Sequence, residues 1–139
     1  MYAEYFWRRI GKHDFVHALT DVTGFGLLGH LIEMCEGSDL SAEVEYSKVQ
    51  LMERVKELSA KFIYADNTMR NWKSYENKVQ GINSESLLTL CDPQTSGGLM
   101  IAVAAGKEQE FKSLAKQHGL ELESIGRMIS KTDKTIFIK

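Results

Sequence analysis

Thr20-Asp21-Val22-Thr23-Gly24-Phe25-Gly26-Leu27-Leu28-Gly29-His30 is the stretch that decides how the rest of the chain reads. An apolar stretch, residues 16–19, stops at a lone acid, Asp21, and three glycines then alternate with bulkier residues before a helical pattern begins. Glycine permits a positive φ and a close backbone approach, so Thr23 to Gly26 can turn with N–H groups pointing outward. The helix behind such a turn adds a positive N-terminal end, which favours phosphate. Asp21 beside it could hold a divalent cation that neutralises the same phosphate. The plainer alternative is a tight strand-to-helix turn with glycines for packing and Asp21 as a helix cap.

Working outward, Leu27, Leu28, Leu31, Ile32 and Cys35 share one face of a helix, with Gly37 placed to cap its end. His30 lies one residue off that stripe and reads as a hydrogen-bonded helix histidine, not a metal ligand. Upstream, residues 2–10 suggest a short amphipathic helix bearing Tyr5, Phe6 and Trp7, and residues 15–19 a strand. Downstream, Leu40, Ala42, Val44 and Tyr46 alternate with Ser41, Glu43 and Glu45, the pattern of a half-buried strand with the second set facing water. Ser47 then caps a helix whose stripe is Leu51, Val55, Leu58 and Phe62, and a further helix carries Met69, Trp72 and Tyr75. Arg70 and Asn71 on that helix are candidates for contact with an anion.

The second notable stretch is Cys91-Asp92-Pro93-Gln94-Thr95-Ser96-Gly97-Gly98-Leu99, which follows a short helix over residues 82–90. Pro93, the single proline, keeps Asp92 out of the helical region and ends that helix. Continuous apolarity from Leu99 to Val103 predicts a central strand buried on both faces. The two glycine loops are thereby expected to meet at one edge of a sheet, with Asp92 read most simply as a turn acid. Residues 106–118 form a helix with Phe111, Leu114, Ala115 and His118 inward. Residues 120–129 and 135–138 read as strands joined by a hairpin at Lys131-Thr132-Asp133-Lys134. This order predicts an α+β domain, a layered arrangement of a mixed β-sheet packed against helices, not a regular doubly wound sheet.

Composition narrows the function classes. At 139 residues, one domain over 1–139 is expected, and the net charge of −2 with no basic surplus argues against nucleic acid. The longest apolar run, Leu99 to Ala105, falls far short of the roughly 18 residues needed to cross a bilayer, so no membrane partner is expected. Cys35 and Cys91 lie outside any CxxC pattern and read as two buried thiols, which suits a cytoplasmic protein.

Together, the stretch from Thr20 to Leu31 and the stretch from Asp92 to Leu99 resemble the two signatures of the C-terminal half of selenophosphate synthetases (selenide, water dikinases), within the aminoimidazole ribonucleotide synthetase-like superfamily. Segment 70–72 and the closing Ile125-Gly126-Arg127 also sit where that family has counterparts. The resemblance implies an enzyme that converts selenide, ATP and water into selenophosphate, AMP and phosphate, with Mg²⁺ and often K⁺. It implies two-domain dimers, so ATP, selenide, the N-terminal ATP-binding domain and a second copy of the chain are the expected partners. On this resemblance Asp21 is the metal ligand of the C-terminal half, and Thr23, Gly24 and Gly26 shape the backbone beside the cofactor. The Asp92 loop is expected to serve loop architecture at the domain interface.

The sequence also departs from the family pattern. It has no glycine-rich Cys-x-x-Lys segment, carries Ile63-Tyr64-Ala65-Asp66-Asn67-Thr68 where relatives more often have a proline-glycine-glycine turn, and has Met100 in place of a leucine. These residues alone are therefore expected to supply part of the Mg-ATP site and to be inactive without the N-terminal half. The alternatives are a non-catalytic interaction module derived from that domain and the corresponding half of another ATP-dependent enzyme of the superfamily.

Overall fold

Alternation along Leu40–Val44 (β2) supplies the centre of the fold: Ala42 and Val44 are almost wholly buried. The structure is a computed structural model and describes residues 10–139. Three strands assemble around β2. Gly126–Ser130 (β5) pairs with it antiparallel, and Ile136–Ile138 (β6) pairs with it in parallel on the other side. The short Val79–Gln80 (β3) then adds in parallel to β6, giving the order β3-β6-β2-β5. This is the mixed sheet the sequence predicts. Val16–Asp21 (β1) and Leu99–Val103 (β4) form a separate antiparallel pair, with Asp21 opposite Leu99 and Thr20 opposite Met100.

The helices complete the layers: α1 over Gly26–Ser38, α2 over Val55–Ala60, α3 over Asn67–Tyr75, α4 over Ser84–Leu90 and α5 over Glu108–Gln117. The stripe read from the sequence is the buried side of α1. Leu28, Leu31, Ile32 and Cys35 enter one core with Ala42, Val44, Tyr75, Val79, Leu90, Ile136 and Ile138. Full burial of one such aliphatic side chain contributes about 1.5–3 kcal/mol, so this shared core is what fixes α1 and its leading loop against the sheet. A second cluster joins Ile10, Phe15, Phe111 and Ala115 beneath α5.

Several expectations are corrected. β5 and β6 do not form a hairpin, because β2 lies between them. Residues 131–134 cross the end of β2, and the buried Ser41 anchors the crossing: its hydroxyl donates to the Lys134 carbonyl at 2.8 Å and accepts from the Thr132 N–H at 3.0 Å. Ser41 therefore faces in, although alternation placed it in water. β4 has one neighbouring strand among the described residues, and Ile101 to Val103 are only half-buried, so it is not a central strand.

The long helix through residues 47–62 is reduced to α2, which is entered from Arg54 at φ 67° and followed by Phe62 at φ 56°. Its stripe runs out of partner: Phe62 stays 74 % exposed. Asp39, not Gly37, takes the left-handed position after α1, and its carboxylate pairs with Lys131. The expected helix over residues 2–10 lies almost entirely outside the described residues.

Candidate functional site

Where β1 ends, the chain turns inward at Val22 and back out through Thr23, Gly24 and Phe25 before α1 starts. Four successive carbonyl oxygens of this turn are taken by the protein. Val22 accepts from the Gly97 N–H at 2.9 Å, and Thr23 accepts from the N–H groups of Gln94 and Gly26 at 3.0 and 3.1 Å. Gly24 accepts from the Asn71 amide at 2.9 Å, and Phe25 accepts from the Tyr75 hydroxyl at 3.1 Å. The N–H groups of Thr23, Gly24 and Phe25 donate to no described residue. With these four carbonyls taken, the N–H groups of Thr23, Gly24 and Phe25 are the turn's unused backbone groups, and the first-turn N–H groups of α1 beyond Gly26, which have no intrahelical acceptors, follow directly.

The second glycine loop is what pulls those carbonyls in. Val22 N–H donates to the Gly98 carbonyl at 2.8 Å, and the Gly97 and Gln94 bonds run the other way. The two loops thus meet side by side, as their sequences predict. Asn71 locks the junction from α3, since its buried amide donates to Gly24 and also to Cys91 at 3.0 Å. Both of its N–H groups are used internally, so Asn71 is not an anion contact; Arg70 beside it is exposed. Gly26 has φ +70°, and a Cβ there would lie 2.8 Å from the Cys91 and Leu90 backbone, so only glycine lets α1 sit against the end of α4. Gly24 is different: it is exposed, and a Cβ would meet open space.

The two aspartates separate cleanly. Asp92 is a turn acid whose carboxylate accepts from the Thr68 hydroxyl at 3.3 Å and from the Gln94 amide at 2.8 Å. Asp21 is exposed at the end of β1, opposite Leu99, and its carboxylate has no hydrogen-bond or ion-pair partner among the described residues. Mg²⁺ takes oxygen ligands in near-octahedral geometry and keeps several waters. No group of three or more His, Cys, Asp or Glu is gathered for a metal among the described residues. What the turn offers a hard cation is one carboxylate, Asp21, which no described residue uses; a full ligand set is not gathered among the described residues.

His30 is buried, with Nε2 3.0 Å from Thr23 Oγ1 and Nδ1 3.2 Å from Glu33 Oε2; it is the hydrogen-bonded helix histidine the sequence suggests. Cys35 and Cys91 are free and buried, and burial pushes both thiols up to about 11. Neither is a reactive thiolate near neutral pH. Glu43 is held by Arg127 and Lys139, which draw its carboxyl below the usual range, and it forms no catalytic pair with Glu45. Sequence reasoning missed Tyr75 and Asn71 as the residues that hold the turn; their polarity on an otherwise packed helix was the available signal.

A strand pair whose glycine loops interlock beneath a helix start, beside a mixed four-stranded sheet, is the architecture of a known domain family. The chain belongs to that family: its residues 7–139 match the AIR synthase related protein, C-terminal domain. Within it, the chain is 44% identical over 128 residues to the selenide, water dikinase of Pseudomonas putida, covering 92% of this chain and 37% of that protein. It is 45% identical over 126 residues to the selenide, water dikinase of Haemophilus influenzae, covering 91% and 36% respectively. The chain thus spans little more than a third of the length of these relatives. A crystal structure of thiamine-monophosphate kinase from Stenotrophomonas maltophilia shares the fold, with a TM-score of 0.57 at 19% identity over 89% of this chain and 31% of that one. No helix among the described residues is long and apolar enough to cross a membrane.

Proposed function

We propose that this chain is the C-terminal part of a selenide, water dikinase and supplies one wall of its Mg-ATP site. The observation that carries the reading is the turn from Asp21 to Gly26, whose carbonyls from residues 22 to 25 are satisfied inside the protein while the Asp21 carboxylate and three N–H groups have no partner among the described residues. Identity of 44–45% to selenide, water dikinases favours that enzyme over the other ATP-using members of the superfamily.

Phosphoryl transfer depends on positioning and on offsetting charge around the phosphates. Mg²⁺, held in part by Asp21, would supply that offset as a Lewis acid. Asp21 holds the cation's side of the wall, and the N–H groups of Thr23, Gly24 and Phe25 orient phosphate oxygens. Gly24 leaves room for the phosphate to approach the backbone, while Gly26 fixes the angle at which α1 leaves. The reactive Cys or selenocysteine, a Lys and the remaining metal ligands come from the N-terminal domain of the full-length enzyme, which also makes most of the ATP contacts. The whole enzyme turns selenide, ATP and water into selenophosphate, AMP and phosphate in the cytoplasm, with K⁺ as a second cation and a homodimer as the working assembly.

The test is Asp21→Asn in the full-length enzyme carrying this chain. Turnover is expected to fall about a hundredfold or more, the scale of several kcal/mol of lost charge stabilisation, with an unchanged circular dichroism spectrum. Normal turnover in a folded Asp21→Asn enzyme removes Asp21 from the site. The chain alone is expected to bind Mg-ATP too weakly for micromolar calorimetry, because one carboxylate makes a poor magnesium site.

A further inference from the structure

We infer that His30 is a positioning residue for the Thr23 hydroxyl, and that it turns that oxygen into a cation-side acceptor next to Asp21. This rests on the reading of the Asp21–Gly26 turn given above and assigns its side chains to different parts of the ligand.

A carboxylate only accepts, so Glu33, 3.2 Å from His30 Nδ1, favours a proton on that nitrogen. In the neutral ring Nε2 then carries a lone pair, and the partner 3.0 Å away, Thr23 Oγ1, must donate. The arrangement is protected: His30 is 8 % exposed, and the Phe25 ring meets it edge-on at 5.9 Å. Thr23 is only half-buried, and the side of its hydroxyl turned away from Nε2 is the one a ligand would meet. That side offers lone pairs and no proton. A phosphate oxygen needs a donor and is poorly matched to it; a metal ion or its bound water is well matched. The turn is thereby divided: backbone N–H groups of residues 23–25 face phosphate, and the Asp21 carboxylate with Thr23 Oγ1 faces the cation.

The primary test needs no ligand. Long-range ¹H–¹⁵N NMR of the ¹⁵N-labelled chain, with the His30 signals assigned by their loss in His30→Gln, is expected to show a proton on Nδ1 and an unprotonated Nε2. A proton on Nε2 overturns the inference. In the full-length enzyme, His30→Leu is expected to raise the Mg²⁺ concentration for half-maximal activity about tenfold, while His30→Gln, which retains an acceptor, stays within about twofold of wild type. Equal Mg²⁺ dependence in all three counts against the assignment. The two readings fail separately: an inert Asp21→Asn sinks the metal wall whatever the tautomer, and an Nε2 proton with an inactive Asp21→Asn sinks only the role of His30.

Discussion

Two aspartates occupy comparable places in this molecule, each at the mouth of a glycine-rich loop, and they have opposite fates. Asp92 has both carboxylate oxygens engaged, by Thr68 and Gln94, and its loop exists to hold another loop. Asp21 stands one residue from a backbone so thoroughly tied down that nothing within reach needs its charge. Architecture consumes polar groups; a binding surface is what remains when the surrounding polar groups have been satisfied without using it. On the proposed function the first loop carries the chemistry and the second the scaffolding, and that division can be broken by substitutions that move one property without the other.

The largest effect is expected at Asp21. Asp21→Asn should lower full-length turnover about a hundredfold or more while thermal unfolding shifts by no more than a surface substitution does, within about 0.5 kcal/mol. The converse substitution, Asp92→Ala, should leave kcat within a few fold and lower stability by about 1–2 kcal/mol, because the buried Thr68 hydroxyl loses its acceptor. A turnover loss at Asp92 equal to that at Asp21 would erase the distinction.

Next comes the lock shared by both loops. Asn71→Ala leaves the Gly24 and Cys91 carbonyls without their donor, so denaturant unfolding should report a loss of about 3 kcal/mol. The two glycines of the turn sharpen the same point. Gly26→Ala should cost about 2 kcal/mol, since a methyl group there meets the Cys91 and Leu90 backbone in a left-handed conformation. Gly24→Ala should leave stability within about 0.5 kcal/mol, since a Cβ there meets open space, yet raise KM for Mg-ATP if phosphate approaches the backbone as proposed. Calorimetric melting of both variants beside steady-state kinetics separates packing from binding.

What could be read in advance follows the range of the forces involved. The stripe Leu28, Leu31, Ile32 and Cys35 announces α1 because a helical face repeats within a few residues, and the glycines of the turn declare a bend by their own backbone freedom. The interlocking of residues 22–24 with residues 94–98 was legible only as a meeting of two similar loops. Its lock was not, since Asn71 reaches carbonyls 47 and 20 positions away and no local pattern encodes such a pair. The hairpin at residues 131–134 was misread for the same reason. Its composition suits a turn, but β2 has two edges to satisfy, and Ser41, 93 positions from Lys134, offers the crossing chain its anchor. Periodicity likewise promised a long helix through Phe62 without indicating that the stripe would outrun its partner.

The smallest expected effect gives the finest reading of the loop junction. Cys91 is fully buried where α4 ends, its carbonyl is held by Asn71, and its thiol is pushed up to about 11 from an ordinary 9.0. At pH 8 the folded form therefore holds very little thiolate, so a thiol reagent should modify it almost entirely through transient opening. Cys35, equally buried within α1 and also held near 11, serves as an internal reference. Asn71→Ala should speed labelling of Cys91 more than that of Cys35, because the junction opens locally before the core does. Asp21→Asn should change neither rate, since its carboxylate holds nothing together. If Asp21→Asn accelerates Cys91 labelling, the first loop leans on its acid as the second leans on Asp92, and the division between a binding loop and a scaffolding loop is lost.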